Sequence, residues 1–311
     1  MKQRAITALI LTLSVALIFV LRQFVSLFIF DACLCVVIII SANEVARVFN
    51  RSGRINNGLI ITIYPVLSFI AFFICYNYNI KIEYTLLIML GLIVLLTIVD
   101  IILTFCFKKS LKENYESEKS TKTFASYCKN KVILTSFLMF YPSFILSSLY
   151  FFNHINDFSY LGVTKFGNID FSLFLLLLPL VLTIATDTFA YLVGSTLKGP
   201  KLCPLISPKK TISGAIGGIL GGVICGFGVY GIFVSCGLIE AQVPAYIIAI
   251  YTILASVISE IGDIFASILK REARTKDYSS IFPGHGGFMD RLDGISFCVF
   301  FTLLFFMLFI F

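Results

Sequence analysis

The chain has 311 residues, of which 59% are hydrophobic and only 13% are charged. Soluble globular domains hold far more charge than this, so the composition excludes a soluble enzyme and predicts a polytopic membrane protein. The net charge of +7 indicates membrane topology first, and anionic lipid or nucleotide ligands second.

Apolar runs of roughly 20 residues are long enough to cross the hydrocarbon core of a bilayer as helices. We predict an all-α fold with about nine such helices, and no nucleic-acid partner. The first run starts with basic residues but has no small-residue cleavage site, so we expect it to be retained rather than removed as a signal peptide. The predicted spans are 5–21, 24–42, 58–76, 84–106, 132–152, 171–192, 213–237, 244–269 and 294–311.

Lysine and arginine are distributed very unevenly between the predicted loops. One side of the membrane receives nearly all of them, whereas the other side keeps only Arg22, Lys81 and Lys165. Basic loops stay in the cytoplasm, so we predict a cytoplasmic N-terminus and an external C-terminus. We expect a multi-pass protein of the cell (inner) membrane.

The one long polar segment, KKSLKENYESEKSTKTFASYCKNK, separates the N-terminal spans from the C-terminal ones. We therefore divide the chain into N-terminal transmembrane helices (1–107), a cytoplasmic basic loop (108–131) and a C-terminal transmembrane catalytic region (132–311). The seventh span begins SGAIGGILGGVICGFG, in which Gly214, Gly218, Gly222 and Gly226 recur on one helix face. That spacing predicts close packing against neighbouring helices.

Several acidic residues lie inside predicted spans, where each costs roughly 2.5 to 3.5 kcal/mol on insertion scales. Their common depth in the cytoplasmic third predicts a shared cavity that opens to the cytosol, although each could instead hydrogen-bond a neighbouring helix. On the eighth span, polar residues three or four apart form one stripe from Ser256 to Lys270. The acids at this depth are Glu44, Asp100, Asp187, Glu260 and Asp263.

The loop ISPKKTISG (206–214) leads directly into the seventh span. Ser207 and Thr211 can cap the new helix. Lys209 and Lys210 stand before a helix N-terminus, where free amides and the helix dipole favour anions. The loop therefore predicts a phosphate site.

A glycine-rich turn, FPGHGGFMDRLDG (282–294), precedes the last span and contains one of only two histidines, His285. Exposed amides in such a turn can hold an anion. Asp290 and Asp293 provide oxygen ligands for a hard divalent cation, and Arg291 can bind a phosphate with two hydrogen bonds.

The run SILKREARTKDYSSIFPGHGGFMDRLD (267–293) resembles the signature of phosphatidate cytidylyltransferases, also called CDP-diacylglycerol synthases. The segments DTFAYLVG, ISPKKT and SEIGDIFASILKR are also similar to that family, so the strong resemblance covers residues 185–295. The chain departs from the family pattern in two places. Ser213 stands where the family usually has Glu, and Lys198-Gly199 reverses the family's Gly-Lys order.

The resemblance implies that CTP and phosphatidic acid are condensed to CDP-diacylglycerol and pyrophosphate by a homodimer that requires Mg²⁺, with K⁺ as a companion ion. We expect Asp263, Asp290 and Asp293 to hold the metal. Catalytic roles are expected for Asp187, Lys209, Lys210, His285 and Arg291. Substrate binding is expected from Lys270, Arg271, Ser207, Thr211, Gly286 and Gly287.

Three alternatives stay open on the sequence alone. A CTP-dependent polyprenol kinase would share the acids and basic loops but transfer the γ-phosphoryl group. A transporter or channel would also place acids inside the membrane, but its polar residues should continue to the outer side. The third alternative is an inactive paralogue or assembly partner that keeps the fold.

Overall fold

The computed structural model describes residues 2–108, 111–112, 123–157, 171–237, 244–284 and 286–309. Within them, almost all regular structure is helical, which confirms the predicted all-α class. The elements in chain order are α1 (Lys2–Phe24), α2 (Leu27–Arg51), α3 (Gly58–Asn77), α4 (Ile82–Cys106), α5 (Phe124–Leu138), α6 (Ile145–Asn153), α7 (Phe171–Leu197), β1 (Lys201–Cys203), β2 (Ser207–Thr211), α8 (Ile212–Ser235), α9 (Ala245–Glu272) and α10 (Met289–Phe309).

Each predicted span corresponds to a described helix or helix pair. Among the described residues, eight of these are long and apolar enough to cross a membrane, counting Phe124–Asn153 as one, and α1 has 23 residues. The chain is therefore a multi-pass membrane protein. α5 begins at Phe124, earlier than the predicted fifth span, so its first turns are formed by the end of the basic segment.

The fifth span is interrupted between α5 and α6. A π-helical segment, Met139–Phe144, joins the two helices, and Tyr141 inside it has non-helical torsion angles of φ −115° and ψ 120°. Pro142 follows and has no N–H to donate to the helical ladder. All residues of this segment except Phe140 are buried, and Tyr141 is only 1% exposed.

The chain divides into two compact units. The first comprises Met1–Thr7, Asp31–Ser147 and Tyr278–Met289, and the second comprises Ala8–Phe30, Ser148–Asp277 and Asp290–Phe311. Both units are therefore assembled from segments that are distant in the sequence.

Close packing of α8 against α7 and α9 forms the centre of the second unit. A Cβ atom built on Gly222 would lie 2.6 Å from Thr186 Oγ1, and one on Gly226 would lie 2.5 Å from Thr252 Cγ2. Real Cβ atoms do not approach other atoms this closely, so only glycine fits at these positions. The predicted packing role of the glycine face is confirmed.

A buried ion pair links α4 and α5 in the first unit. Lys131 Nζ lies 3.2 Å from Asp100 Oδ1, and both side chains are at most 9% exposed. Asp100 Oδ1 also accepts a hydrogen bond of 2.8 Å from Asn57 Nδ2, and Lys131 donates one of 3.0 Å to Thr104. Buried charges in proteins are normally paired in this way.

Candidate functional site

A cavity of about 700 Å³ lies in the second unit. Its walls come from the C-terminal half of α7, the β1–β2 hairpin, the first turn of α8 and the middle of α9. The ionisable residues of the lining are four lysines and three acids: Lys198, Lys201, Lys209, Lys210, Asp187, Glu260 and Asp263. Opposite charges thus line one cavity, with three of the lysines on the hairpin and the three acids on α7 and α9.

The loop predicted as a phosphate site is a short antiparallel hairpin. Lys201 pairs with Thr211 and Cys203 pairs with Ser207. Thr211 then caps α8, because its side-chain oxygen accepts a hydrogen bond of 3.1 Å from the Gly214 amide. The capping role predicted for Thr211 is confirmed, and the hairpin fixes the two lysines of β2 immediately before the helix N-terminus.

The closest charge contact in the cavity joins the hairpin to α9. Lys210 Nζ lies 2.6 Å from Asp263 Oδ2, and the two side chains are 25% and 31% exposed. Since both groups are partly open to solvent, an anionic ligand or a cation can compete for either partner. This ion pair brings together two residues that the sequence predicted for the site.

The remaining acids of the cavity come from α7 and α9. Asp187 is solvent-exposed, whereas Glu260 reaches toward α8, where a Cβ atom on Gly218 would lie 2.7 Å from its Oε1 atom. Glu260 Oε1 is buried and has no hydrogen-bond partner among the described residues. A buried acceptor without a donor is costly, so this carboxylate oxygen is available to a ligand.

This donor set fits a magnesium ion. Mg²⁺ prefers oxygen ligands and is commonly held by one or two protein carboxylates together with substrate phosphates. Asp187, Glu260 and Asp263 offer such oxygens in one cavity. No group of three or more His, Cys, Asp or Glu side chains is arranged as a ready metal site in the described part of the chain.

A second charged cluster joins the end of α9 to the start of α10. Lys270 Nζ lies 3.1 Å from Asp290 Oδ1 and 2.7 Å from Asp293 Oδ2. All three side chains are at most 12% exposed. One lysine therefore pairs with two carboxylates. The other oxygen of Asp293, Oδ1, is buried without a hydrogen-bond partner among the described residues.

The other predicted residues lie in different surroundings. Arg271 and Arg291 are exposed, and Arg271 Nε donates a hydrogen bond of 3.3 Å to the Ile206 carbonyl at the hairpin turn. Ser207 belongs to β2 but does not line the cavity. Gly286 and Gly287 belong to the Tyr278–Met289 segment of the first unit. His285 lies outside the described residues.

The prediction that five acids share one cavity is wrong for two of them. Glu44 and Asp100 do not line it. Both are nearly fully buried, at 4% and 0% exposure, and both have polar partners within the first unit. Asp100 is hydrogen-bonded within the helices of its unit, whereas Glu44 accepts hydrogen bonds from the segment that leads into α10.

Three charged residues of the cavity were not among the predicted site residues. Glu260 was predicted to share the cavity of acids but was given no role in binding or catalysis. Lys198 and Lys201 come from a segment where the order of Lys and Gly departs from the family pattern. Lys198 has a left-handed backbone with φ +47°. The next residue, Gly199, donates its amide to Ser213 Oγ at 3.2 Å, so the two departures from the family pattern are in direct contact.

Comparisons with known proteins agree with the resemblance seen in the motifs. The model of a family described as the cytidylyltransferase family matches residues 2–311. A phosphatidate cytidylyltransferase of Brucella abortus is 40% identical over 111 residues, covering 36% of this chain and 38% of the relative. One from Staphylococcus saprophyticus is 34% identical over 140 residues, covering 45% and 50%, and one from Aquifex aeolicus is 31% identical over 168 residues, covering 54% of each. The alignments thus span between about two fifths and about half of the relatives' length.

Proposed function

Because the chain belongs to the cytidylyltransferase family, we propose that it transfers the cytidylyl group of CTP to phosphatidic acid. The products are CDP-diacylglycerol and pyrophosphate, so the protein acts in phospholipid biosynthesis. The observation that supports this most directly is the cavity whose lining contains four lysines and three carboxylates.

The charge pattern of the cavity suits a nucleoside triphosphate. Lys209 and Lys210 lie on β2 next to the N-terminus of α8, and lysine ammonium groups together with helix N-termini stabilise phosphates. The lysines neutralise the triphosphate and hold its α-phosphorus toward the acceptor. When an anion binds Lys210, the carboxylate of Asp263 is released from its ion pair.

In the proposed reaction, an oxygen of the phosphatidic acid phosphate attacks the α-phosphorus of CTP. A new P–O–P bond forms, the bond between the α-phosphorus and the bridging oxygen to the β-phosphorus breaks, and pyrophosphate leaves with the bonding electrons. Such transfers depend on positioning and charge neutralisation rather than on a covalent nucleophile. Lys198 and Lys201 are placed to neutralise the charge that develops on the leaving group.

We assign magnesium binding to Asp263, with Asp187 and Glu260 beside it in the same cavity. When bound, the ion supplies Lewis-acid stabilisation of phosphate oxygens. Asp290 and Asp293, which were predicted to be metal ligands, are held by Lys270, and we propose that they release it when the lipid phosphate binds there. K⁺ and a homodimer follow only from the family resemblance.

The two proposed substrates come from different environments, the bilayer and the aqueous phase. Phosphatidic acid cannot readily leave the bilayer and CTP cannot readily enter it, so the site belongs at a membrane face. The lysine-rich loops around the hairpin favour the cytoplasmic face by the positive-inside rule. We therefore propose an active site that faces the cytoplasm.

The test uses purified protein in detergent micelles with phosphatidic acid, Mg²⁺ and CTP labelled at the α- or the γ-phosphorus. We expect the lipid fraction to acquire only the α-label and pyrophosphate to appear in equal amount, with no product when any component is omitted. Transfer of the γ-label with release of CDP would instead identify a kinase.

A folded sample that transfers neither label would contradict the proposal and favour an inactive partner or a transporter. Glu83→Gln is a suitable control, because Glu83 is an exposed acid in the first turn of α4 and lies outside the cavity. Its activity should equal that of the unmodified protein.

A further inference from the structure

An acid from the first unit, Glu44, lies against the glycine-rich segment that precedes α10. Its Oε1 atom accepts hydrogen bonds from Ser279 Oγ at 2.6 Å and from the Phe288 amide at 3.2 Å. Its Oε2 atom accepts one of 2.9 Å from the Met289 amide. Glu44 is only 4% exposed, so its charge is stabilised by these donors rather than by water.

The position of Met289 gives these contacts a second effect. Met289 is the first residue of α10, and the amides of a helix's first turn have no partner within the helix. Glu44 therefore caps α10 from another helix, with its negative charge at the positive end of the helix dipole. The cap therefore helps to fix the residue at which α10 begins.

Gly287 fits tightly against the same carboxylate. A Cβ atom on Gly287 would lie 2.5 Å from Glu44 Oε1, closer than real Cβ atoms approach an oxygen. Any larger residue at this position must displace either the segment or the glutamate. The absence of a side chain at Gly287 is thus explained by the approach of Glu44.

The segment forms a closed turn on this support. The Phe282 amide donates a hydrogen bond of 2.8 Å to the Gly286 carbonyl, and Gly284 and Gly286 have left-handed φ angles of 78° and 81°. The rings of Phe282 and Phe288 meet edge to face with centroids 4.7 Å apart. Both ends of the turn are therefore held, one by its own backbone and the other by Glu44.

We propose that Glu44 is a positioning residue that fixes the Gly286–Met289 segment, and through it the start of α10, in the geometry needed for substrate binding. This inference rests on the proposed function for its catalytic consequence but not for the contact itself. Glu44 donates nothing to the reaction and touches no reacting atom. It acts through the amides of Phe288 and Met289.

The first test measures the contact without using activity. In Glu44→Gln, one oxygen is replaced by an NH₂ group that cannot accept a hydrogen bond, and the charge is lost. We expect hydrogen–deuterium exchange of the Phe288 and Met289 amides to become at least about tenfold faster, because opening no longer breaks charge-assisted bonds. Unchanged exchange in a folded variant would overturn the proposal, whether or not the protein makes CDP-diacylglycerol.

The second test is a double-mutant cycle on activity. Gly287→Ala alone should lower kcat/KM by about tenfold or more, because the new methyl group displaces the segment from Glu44. In a Glu44→Ala background the same change should cost less than about twofold, since the space of the carboxylate is free. An equal loss of kcat/KM in both backgrounds would contradict the positioning role of Glu44, even if the proposed activity is established.

Two further variants separate positioning from a general loss of stability. Glu44→Asp keeps the charge and should recover part of the activity lost in Glu44→Gln, whereas a role in stability alone predicts that activity follows the unfolding temperature. Glu83→Gln removes an exposed acid elsewhere and should leave both exchange and activity unchanged. If activity fell only in proportion to the folded fraction, the positioning role would be refuted.

Discussion

At the residue scale, the ion pair of Lys210 and Asp263 must open when the proposed ligands bind, because the triphosphate competes for Lys210 and magnesium competes for Asp263. Asp263→Asn removes the carboxylate that we assign to magnesium, and Asp290→Asn removes a partner of Lys270. We expect each to lower kcat/KM by at least about 100-fold, because preorganised charges at a transferring phosphoryl group have effects of this size. Both proteins should elute as folded particles. Full activity in both variants, measured by transfer of the α-label, would contradict the metal and charge assignments.

Lys198 provides a second residue-scale prediction, because its left-handed backbone lowers the stability of the protein, whereas its charge is proposed to favour CTP binding. Its φ of +47° disfavours a side chain, so Lys198→Gly should raise stability by about 1 kcal/mol. The same change removes a cavity cation and should raise the KM for CTP several-fold. Lys198→Ala keeps the backbone cost and should raise KM equally without stabilising the protein.

Thermal unfolding in detergent and CTP titrations together check this prediction. If Lys198→Gly were more stable with an unchanged KM, the ammonium group would have no part in nucleotide binding. If KM rose only in the glycine variant, the effect would come from loop flexibility rather than from the lost charge. Parallel rises in both variants would support the assignment of Lys198 to the triphosphate.

At the element scale, the glycines of α8 differ in how closely other side chains approach them. Gly222→Ala would place a methyl group 2.6 Å from Thr186 Oγ1, whereas a Cβ atom on Gly228 would have no described neighbour within 4 Å. Overpacking a tight interface costs about 1–3 kcal/mol, while replacing an open helical glycine by alanine gains about 0.5–1 kcal/mol. The unfolding temperature should therefore fall for Gly222→Ala and stay level or rise for Gly228→Ala. Equal shifts would refute the packing role.

The helices could be predicted from the sequence because hydrophobic length alone defines a membrane span, and the α8 glycines could be predicted from their spacing. The β1–β2 hairpin could not be predicted, since its strands are short and lack an alternating apolar pattern. The contact of Glu44 with Met289 joins residues 245 positions apart. No local pattern encodes such a contact. The pairing of Asp263 with Lys210 could not be predicted for the same reason, although Asp263 itself could be predicted as a site residue.

At the scale of the whole molecule, the side of the membrane on which the N-terminus lies depends on whether α1 crosses the membrane. α1 has 23 residues, but its first turn contains Lys2 and Arg4. If α1 crosses, the N-terminus and the hairpin tip at Leu205 face the same side, and the α3–α4 connection at Tyr78 faces the other. If α1 does not cross, the N-terminus joins Tyr78. The positive-inside rule favours the first arrangement, with the hairpin in the cytoplasm.

Cysteine labelling with a membrane-impermeant maleimide tests this orientation. Leu205 is 96% exposed and Tyr78 is 78% exposed, so a cysteine at either position should react wherever the reagent has access. In a background with the exposed Cys106 and Cys236 changed to serine, Tyr78→Cys should be labelled in intact cells. Leu205→Cys and an N-terminal epitope tag should become accessible only in inverted vesicles. Labelling of Leu205→Cys from outside would place the lysine-rich cavity away from cytoplasmic CTP and would contradict the proposed enzyme, whereas an external tag with an internal Leu205 would show only that α1 does not cross.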